Sequence, residues 1–267
     1  MPDKKENLIN YLRSFGKCAV AFSGGCDSTF LLKTAFDVLG RNCTAVTYSS
    51  PLVSLADISD CVSFCKKENI RHIIIREEEL TREVEENTEM RCYFCKKNIF
   101  SRIIVKANEE GIETVTEGTN SEDSRDYRPG MKALTELGVI SPLSVCGISK
   151  QEVRDYSLQF GLKTHDKPSS ACLASRIPYG EKITPAKLDR IEKAEKYISE
   201  LGFSSFRVRS HGDLARIEFL ADDFKKAFEE NVRREISSKL KELGFHYVAL
   251  DADGFYSGSL NREIKVK

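Results

Sequence analysis

Segments typical of β-strands and of α-helices alternate over the first two thirds of the chain, and this alternation restricts the fold more than any other feature of the sequence. Short apolar or β-branched segments predict strands at residues 17–22, 43–48, 72–75 and 113–116. The intervening segments have helical periodicity, at residues 28–39, 55–68, 93–108 and 149–160. Strands that alternate with helices of this length form parallel sheets with right-handed crossovers. The sequence therefore predicts an α/β fold with a doubly wound parallel sheet.

The pattern changes near Ile177-Pro178-Tyr179-Gly180. A long helix is predicted after it at residues 185–201, followed by strands at 206–209 and 215–219, a second long helix at 223–243 and a last strand at 247–250. This order is typical of a small α+β domain. We therefore predict two domains, a larger one over residues 1–176 and a smaller one over residues 177–267.

Composition excludes several classes of protein. The chain has 41 Lys and Arg against 41 Asp and Glu, so it lacks the basic excess of a nucleic-acid-binding protein, and no nucleic-acid partner is expected. No apolar run approaches the roughly 18 residues of a membrane-spanning helix, and the charged stretch 1–6 leads into no signal-type segment. A cytoplasmic location without a membrane partner is expected. Nine cysteines in a cytoplasmic chain are not a disulfide framework.

Several of these cysteines are predicted to be small core residues. Cys18 and Cys43 fall within predicted strands. Leu55, Ile58, Val62 and Cys65 recur at helical spacing and are predicted to form the buried stripe of the helix at 55–68. The remaining cysteines include those that are candidates for chemistry.

The segment Ser23-Gly24-Gly25-Cys26-Asp27-Ser28 lies between a predicted strand and a predicted helix. Glycines allow the backbone to approach a ligand closely, and the N–H groups and partial positive charge of the helix N-terminus favour an anion. The two serine hydroxyls add donors, and Asp27 is placed either to support a magnesium ion or to interact with the helix dipole. No Gly-Lys-Ser/Thr follows, so this is not a Walker loop. The sequence predicts a binding site for a phosphate chain.

Three other cysteines form a candidate constellation. Cys92 and Cys95 are spaced Cys-x-x-Cys near the start of a predicted helix, and Cys172 lies in a separate segment. A thioredoxin-like pair does not fit the surrounding pattern. Spacing alone leaves open a zinc site, with His165 as a candidate fourth ligand, and an iron–sulfur cluster with one open iron.

The loop at 23–28 resembles the pyrophosphate-loop (PP-loop) motif of the ATP pyrophosphatases, which cleave ATP to AMP and pyrophosphate. The run Ala171-Cys172-Leu173-Ala174-Ser175-Arg176-Ile177-Pro178-Tyr179-Gly180 is similar to the signature of the LarE family within that superfamily. Gly118-Thr119-Asn120 with Asp123, and Asp126-Tyr127-Arg128-Pro129-Gly130, are similar to the second active-site loop of that family. The similarity extends over essentially the whole chain. It implies the doubly wound PP-loop fold with a second, smaller α+β domain.

The resemblance also implies a function. LarE proteins adenylate the carboxylates of pyridinium-3,5-biscarboxylic acid mononucleotide with ATP and Mg²⁺ and convert them to thiocarboxylates for the nickel-pincer nucleotide. Matched residue by residue, the resemblance implies catalytic roles for Asp27 and Cys172. It implies ATP binding by Ser23, Gly24, Gly25, Asp27, Ser28 and Asp123. It implies binding of the substrate phosphate by Ser175, Arg176, Arg207 and Arg209, with Glu195 close by.

The source of sulfur has two versions in the family. Some members give up the sulfur of the cysteine that matches Cys172, whereas others bind a 4Fe-4S cluster through three cysteines, here Cys92, Cys95 and Cys172. The three-cysteine pattern of this chain favours a cluster that carries sulfide from an external donor, with sacrificial Cys172 as the alternative. A PP-loop tRNA thiolase with a 4Fe-4S cluster is the alternative function. By resemblance, the small domain assembles the protein into a homo-oligomer, expected to be a hexamer.

Overall fold

The computed structural model describes residues 3–123, 129–167, 171–256 and 259–260. The motif residues Asp126, Tyr127 and Arg128 lie outside them. In chain order, the helices are α1 Lys4–Arg13, α2 Cys26–Leu39, α3 Leu55–Glu68, α4 Arg82–Glu85, α5 Arg91–Glu109, α6 Pro129–Glu136, α7 Pro142–Val145, α8 Lys150–Gln159, α9 Pro185–Glu200, α10 Phe224–Ala227 and α11 Glu230–Glu242. The strands are β1 Cys18–Ala21, β2 Cys43–Ser49, β3 Arg71–Arg76, β4 Val115–Thr116, β5 Phe206–His211, β6 Leu214–Phe219 and β7 Tyr247–Leu250.

The chain divides into two compact units. The first unit consists of Met1–Leu80 and Met90–Ser170, and the second consists of Thr81–Glu89 and Ala171–Lys267. The second unit is thus built from two separate stretches of chain, and the shorter one is inserted between β3 and α5 of the first unit.

The sheet of the first unit has the strand order β3-β2-β1-β4, and all its paired strands are parallel. The chain proceeds from β1 outward to β2 and β3, then returns to the other side of β1 to form β4. The order therefore reverses between β1 and β4, and open α/β sheets bind their ligands at the carboxyl ends of the strands at such a switch point. The predicted α/β fold with a parallel sheet is confirmed.

Side-chain alternation along β1 places helices on both faces of this sheet. Cys18 and Val20 belong to a core cluster with Leu8 of α1 and Phe30 of α2. Ala19 belongs to a second cluster with Ile103 of α5. Successive residues of a strand point to opposite faces, so one buried strand supports both layers.

One prediction about the core is wrong. Leu55 and Val62 do not form the buried stripe of α3, since their side chains are 76% and 41% exposed. Cys65 is buried as predicted, together with Cys61 one turn before it. A Cβ added to Gly24 would lie 3.0 Å from Cys61 Sγ, so α3 packs closely against the loop that follows β1. Only a small side chain fits there, and this close approach rotates the buried face of α3 away from its largest apolar residues.

The second unit contains a sheet in the order β5-β6-β7, in which β5 and β6 are antiparallel and β6 and β7 are parallel. Its core is formed by aromatic and aliphatic side chains, and the rings of Phe203 and Phe219 lie 4.5 Å apart. The α9 helix begins with Thr184 as N-cap and Pro185 in the first position, both of which favour a helix start. This unit has the predicted smaller α+β character.

The second long helix predicted at 223–243 is divided in the structure. The α10 helix ends at Ala227, Glu229 has an extended backbone with ψ of 134°, and α11 begins at Glu230. Ala227 and Ile236 both belong to the core cluster of this unit. At about 100° per residue, nine positions of one continuous helix would place these residues on opposite faces. The break brings both into one core.

The inserted stretch Thr81–Glu89 is joined to the rest of the second unit by Asn87. Its side-chain amide donates to the carbonyl oxygens of Pro178 at 2.7 Å and Glu181 at 2.9 Å. The Gly180 N–H donates to the Asn87 carbonyl oxygen at 2.9 Å. Asn87 is fully buried and has a positive φ of 53°, a conformation that asparagine tolerates better than most residues. Residues 81–89 therefore complete the fold around the loop at 177–183.

Across the described residues, no helix has the length and apolar character required to cross a membrane.

Candidate functional site

The loop after β1 has the geometry of an anion-binding turn. Gly24 has a φ of +71°, a conformation that favours glycine, and Gly25 is the N-cap of α2. Glycine has no side chain to occupy the first N–H groups of the helix, which stay directed toward a ligand. The Ser23 and Ser28 hydroxyls lie 3.1 Å apart, and Ser28 Oγ donates to the Gly25 carbonyl oxygen at 3.2 Å. The loop is thus held in place by its own serines.

Asp27 lies in the first turn of α2, and both of its carboxylate oxygens accept hydrogen bonds. Lys150 Nζ, from the first position of α8, donates to Asp27 Oδ2. Asn120 Nδ2 donates to Asp27 Oδ1 at 3.4 Å. The Asn120 backbone N–H donates in turn to Asp123 Oδ2 at 3.1 Å. The predicted residues Asp27 and Asp123 are therefore linked through one asparagine.

The loop after β4 packs directly on the start of α2. A Cβ added to Gly118 would lie 2.8 Å from Ser28 N and 3.1 Å from the Asp27 carbonyl carbon. Both are backbone atoms of a helix, which cannot move aside as the end of a flexible side chain can. Gly118 therefore sets the distance between the two loops of the site.

Glu117 fixes the shape of this second loop. Its buried carboxylate accepts hydrogen bonds from the Thr119 N–H at 3.0 Å and the Thr119 hydroxyl at 2.8 Å. The Ser141 hydroxyl donates to the same carboxylate. A buried carboxylate costs free energy unless hydrogen bonds satisfy it, and here they also hold Gly118 between two anchored residues.

A cavity of about 360 Å³ lies where these loops meet the carboxyl ends of the strands. This volume is within the range of roughly 300–1,000 Å³ typical of small-molecule sites. Polar groups of the loops at 23–28 and 117–123 line one part of it. The rest of the lining is mostly apolar and comes from β2, α3, α5 and the segment between β2 and α3, including Val46, Val53, Ile58, Ile99 and Ile103. The cavity thus offers an anion-binding end and an apolar end.

Lys167 connects the phosphate loop to α3. Its ammonium donates to Asp57 Oδ1 and Asp60 Oδ2, both at 3.1 Å, and to the Gly24 carbonyl oxygen at 3.4 Å. Burial opposes the charged form, but the bonds to Asp60 and Asp57 outweigh it and raise the pKa of Lys167. The side chain is a permanent cation that holds the loop from outside the cavity.

The Cys92/Cys95 pair lies in the first two turns of α5, and both thiols are half-buried. Burial, the Glu77 carboxylate and the Cys95 thiol raise the pKa of Tyr48 to about 12. Tyr48 and Lys96 both line the cavity, so the N-terminal part of α5 borders it. Cys61 lines it too, but burial raises the pKa of its thiol to about 11, and it stays protonated.

Cys172, in the second unit, is exposed and precedes a single turn of 3₁₀ helix, Leu173–Arg176. Arg176 is buried and folds back over this turn. Its Nη1 donates to the carbonyl oxygens of Ala171 at 2.6 Å and Cys172 at 3.2 Å. Its Nε and Nη2 donate to the two oxygens of Glu195, both at 2.9 Å. The exposed thiol is thus attached to a firmly held backbone.

The predicted phosphate-binding arginines lie in one charged cluster of the second unit. Arg209 is buried and forms a bidentate salt bridge with Glu218, in which Nε and Nη2 donate to the two carboxylate oxygens at 3.0 and 2.8 Å. Its Nη1 donates to the Ser175 carbonyl oxygen. Burial and the neighbouring Arg176 and Arg209 lower the pKa of Arg207 to about 10. Guanidinium groups that lie close together are suited to binding an anion.

Several residues of these sites were missed by sequence reasoning. Lys150, Lys167 and Glu117 contact the phosphate loop or the loop beside it, and Glu218 holds Arg209. Lys150 and Lys167 lie more than 100 residues from their partners in the loop, so no local spacing indicates them. The buried Glu218 lies in an apolar strand pattern, which was the one available signal.

Cys92 and Cys95 belong to the first unit and Cys172 to the second. Within the part of the chain that the structure describes, no group of three or more His, Cys, Asp or Glu side chains is arranged to hold a metal ion. His165, the candidate zinc ligand, forms a hydrogen bond through Nδ1 with the Leu162 carbonyl oxygen at 2.9 Å. The assignment of the three thiols to one inorganic group stays a prediction.

Comparison with known proteins gives relatives over nearly the whole chain, although no protein-family model matches. An uncharacterized protein of Synechocystis sp. is 40% identical over 263 residues, 98% of each chain. The pyridinium-3,5-bisthiocarboxylic acid mononucleotide synthase of Lactiplantibacillus plantarum is 38% identical over 265 residues, 97% of this chain and 94% of that one. An uncharacterized protein of Methanocaldococcus jannaschii is 27% identical over 253 residues, 95% of this chain and 96% of that one. With the doubly wound sheet and the loop at 23–28, this similarity shows that the chain belongs to the LarE family, the family of the Lactiplantibacillus synthase.

Proposed function

We propose that this protein is an ATP-dependent sulfur transferase that converts the carboxylates of pyridinium-3,5-biscarboxylic acid mononucleotide to thiocarboxylates, for nickel-pincer nucleotide synthesis. The observation that carries the proposal is the cavity beside the loop at 23–28 in a chain 38% identical to the Lactiplantibacillus synthase. A substrate carboxylate oxygen attacks the α-phosphorus of ATP and displaces pyrophosphate, which gives an acyl adenylate. Sulfide then attacks the acyl carbon and AMP leaves, so that the product is a thiocarboxylate.

The first unit supplies the adenylation half of this reaction. The loop and the α2 N-terminus would bind the β- and γ-phosphates, whose charge increases as pyrophosphate departs. Ser23 and Ser28 would donate hydrogen bonds to them. The apolar end of the cavity, at Val53 and Ile58, would take the adenine ring. Donors that are fixed before the reaction stabilise the leaving group without reorganisation.

Asp27 and Asp123 are the candidate ligands for the Mg²⁺ that accompanies ATP. Both carboxylates line the cavity, and oxygen donors are what Mg²⁺ prefers. The Lys150 ammonium balances the charge of Asp27 when no metal is bound. The donor set therefore fits the ion, with Asp27 also next to the phosphate loop.

The sulfur half involves Cys92, Cys95 and Cys172. All three are free cysteines that are exposed or half-buried, unlike the buried Cys18, Cys43, Cys61 and Cys65. Three accessible thiolates fit the ligand set of a 4Fe-4S cluster with one open iron. When bound, such a cluster supplies a site for sulfide. The protein's own contribution is to provide the three ligands and to hold Cys172 on a fixed backbone.

The arginine cluster of the second unit is the proposed site for the substrate phosphate. Arg207 and Arg209 flank Val208 on β5, and Arg176 adds positive charge nearby. Guanidinium groups match phosphate geometry and keep their charge at neutral pH. Ser175 and Glu195 border the same cluster through their bonds to Arg176.

Arg207→Gln is expected to weaken substrate binding without weakening the fold. Burial and its cationic neighbours lower the pKa of Arg207. A cation whose pKa falls on folding opposes folding at neutral pH, where it is charged in both states. Its removal should leave the melting temperature unchanged or raised, while the substrate KM rises at least about tenfold, as for a lost charged hydrogen bond. Thermal denaturation without phosphate checks the stability of the fold. The same measurement with inorganic phosphate checks anion binding, since phosphate should stabilise the wild type and not the variant. A lower melting temperature together with an unchanged KM would contradict the assignment.

The function is tested by pyrophosphate release. Purified protein with Mg²⁺, ATP and the pyridinium dicarboxylate mononucleotide should release pyrophosphate and AMP, and should form thiocarboxylate when sulfide is added to anaerobic, iron-loaded protein. Bulk tRNA serves as the comparison substrate. Release that depends on tRNA and not on the pyridinium nucleotide would show instead that the chain is a tRNA thiolase.

A further inference from the structure

Two hydrogen-bonded connections join β5 to the turn that bears Cys172. In the first, Arg209 Nη1 donates to the Ser175 carbonyl oxygen. In the second, the Val208 N–H donates to Glu195 Oε1 at 3.0 Å, and Glu195 holds Arg176. Val208 lies between Arg207 and Arg209 of the proposed phosphate-binding cluster. This cluster and the turn that bears the thiol are therefore connected through a short series of partly buried hydrogen bonds.

The bonds of Arg176 are directed to the protein itself. Its Nε and Nη2 are engaged with Glu195, and its Nη1 with the Ala171 and Cys172 carbonyl oxygens and with Ser175 Oγ at 2.9 Å. The side chain is only 4% exposed. Binding of a phosphate would require Arg176 to give up bonds that hold its own turn. This arrangement is typical of a residue that fixes backbone rather than one that binds a ligand.

The backbone of the turn depends on the same contacts. The Cys172 carbonyl oxygen also accepts from the Ser175 N–H at 2.9 Å, so this one oxygen closes the turn and anchors it to Arg176. Leu173 and Ala174 are buried, whereas Cys172 is exposed. The exposed thiol is therefore attached to a backbone whose carbonyl groups at residues 171 and 172 are held by the Arg176 guanidinium.

We propose that Arg176, held by Glu195, is a positioning residue for Cys172 and not a ligand of the substrate phosphate. The pair fixes the carbonyl groups of Ala171 and Cys172 at a set distance from β5. This places the thiol relative to β5 and to Arg207, the arginine of the cluster proposed to contact the substrate phosphate. The inference rests on the proposed sulfur transfer, in which Cys172 takes part after adenylation.

The test compares Arg176→Lys with Arg190→Lys. Lysine keeps the charge but cannot bridge Glu195 and two carbonyl oxygens at once. Arg190, in the same unit, also donates to backbone carbonyl oxygens, those of Gly212 at 2.7 Å and Gly244 at 3.0 Å, and thus serves as the matched control. Glu195→Gln is the milder variant, because glutamine can still accept from the Val208 N–H.

For Arg176→Lys we expect a thiocarboxylate-forming kcat at least about tenfold lower, with the substrate KM within about threefold of wild type and pyrophosphate release intact. Hydrogen exchange of the Ser175 and Ile177 amides should be at least about tenfold faster in Arg176→Lys and in Glu195→Gln, but not in Arg190→Lys. The double variant should be little worse than either single one, since the two residues act as one unit.

A raised KM with an intact kcat would show that Arg176 binds substrate, and unchanged amide exchange in both variants would show that it does not fix the turn. Either result overturns the inference. If Arg176→Lys does not fold, Glu195→Gln decides by the same measurements. The exchange measurement needs no substrate, so it decides the positioning role even if the wild type releases no pyrophosphate and the proposed function fails.

Discussion

Cys172→Ala is expected to stop thiocarboxylate formation while pyrophosphate release continues. In the proposed reaction, adenylation uses the loop at 23–28, Asp27 and the cavity, all of which lie in the first unit. The proposed sulfur transfer uses the exposed Cys172 thiol, either as a cluster ligand or as the sulfur donor. Loss of such a group should reduce product formation to below about one-thousandth of wild type. Parallel assays of pyrophosphate and of thiocarboxylate separate the two halves.

Cys146→Ala is the matched control, because Cys146 is a half-buried free cysteine of the first unit that has no proposed role. It should leave both activities near wild type. Continued thiocarboxylate formation by Cys172→Ala would show that Cys172 takes no part in the reaction.

The number of sulfur atoms transferred by the wild type distinguishes the two sulfur sources. More than one sulfur atom transferred per chain, with Cys172 intact, would support the cluster. Conversion of Cys172 to dehydroalanine, with at most one sulfur per chain, would support the sacrificial version.

Three separate thiol substitutions examine the cluster itself. Cys92→Ser, Cys95→Ser and Cys172→Ala should each lower the iron content and the anaerobic visible absorption of iron-loaded protein, whereas Cys146→Ala should not. These readouts do not depend on turnover. Full iron retention in all three variants would mean that these cysteines do not share a cluster.

Gly118→Ala is expected to remove ATP-dependent activity almost completely. The added methyl group would lie 2.8 Å from Ser28 N and 3.0 Å from Ser28 Cα. Overpacking of this kind costs about 1–3 kcal/mol when the surroundings can adjust. Here the methyl group would push the loop at 117–123 away from the α2 N-terminus, and a displacement of about 1 Å in a reacting assembly can lower the rate about 100-fold. Pyrophosphate release at saturating substrate, with circular dichroism to confirm folding, measures the effect.

Gly138→Asn is the control for Gly118→Ala. Gly138 has a φ of +67°, which asparagine tolerates, and a Cβ there would meet nothing within 4 Å. This variant should keep near wild-type activity and stability. Gly118→Ala with normal ATP turnover would show that the two loops need not approach so closely, and the cavity assignment would lose its main geometric support.

The sheet and the conformation of the chain around residues 23–28 could be predicted because their signals are local. An apolar strand, two glycines and a helix start occur within a dozen residues, and the structure places β1, the loop and α2 there in that order. The α3 helix was predicted with its observed bounds for the same reason. Local propensity and capping determine such elements, with Ser54 as the N-cap of α3.

What could not be predicted depends on tertiary packing. The exposure of Leu55 follows from the close contact between Cys61 and Gly24, which no periodicity indicates. The break at Glu229 follows from the need to bury both Ala227 and Ile236. The Lys150–Asp27 pair joins residues far apart in the chain. Charged partners of this kind are apparent only after the fold has brought them together.

The attachment of residues 81–89 to the second unit has a consequence for how this protein can be divided. A fragment that begins at residue 171 would lack Asn87, and the loop at 177–183 would lose its hydrogen bonds to that residue's side chain and backbone. Conversely, a deletion that joins residues 80 and 90 would leave the sequence of the first unit complete. It would remove Thr81–Glu89, which are part of the second unit. The second unit therefore cannot be exchanged between relatives by a single end-to-end gene fusion. During synthesis, it cannot finish folding until both of its stretches of chain have been made.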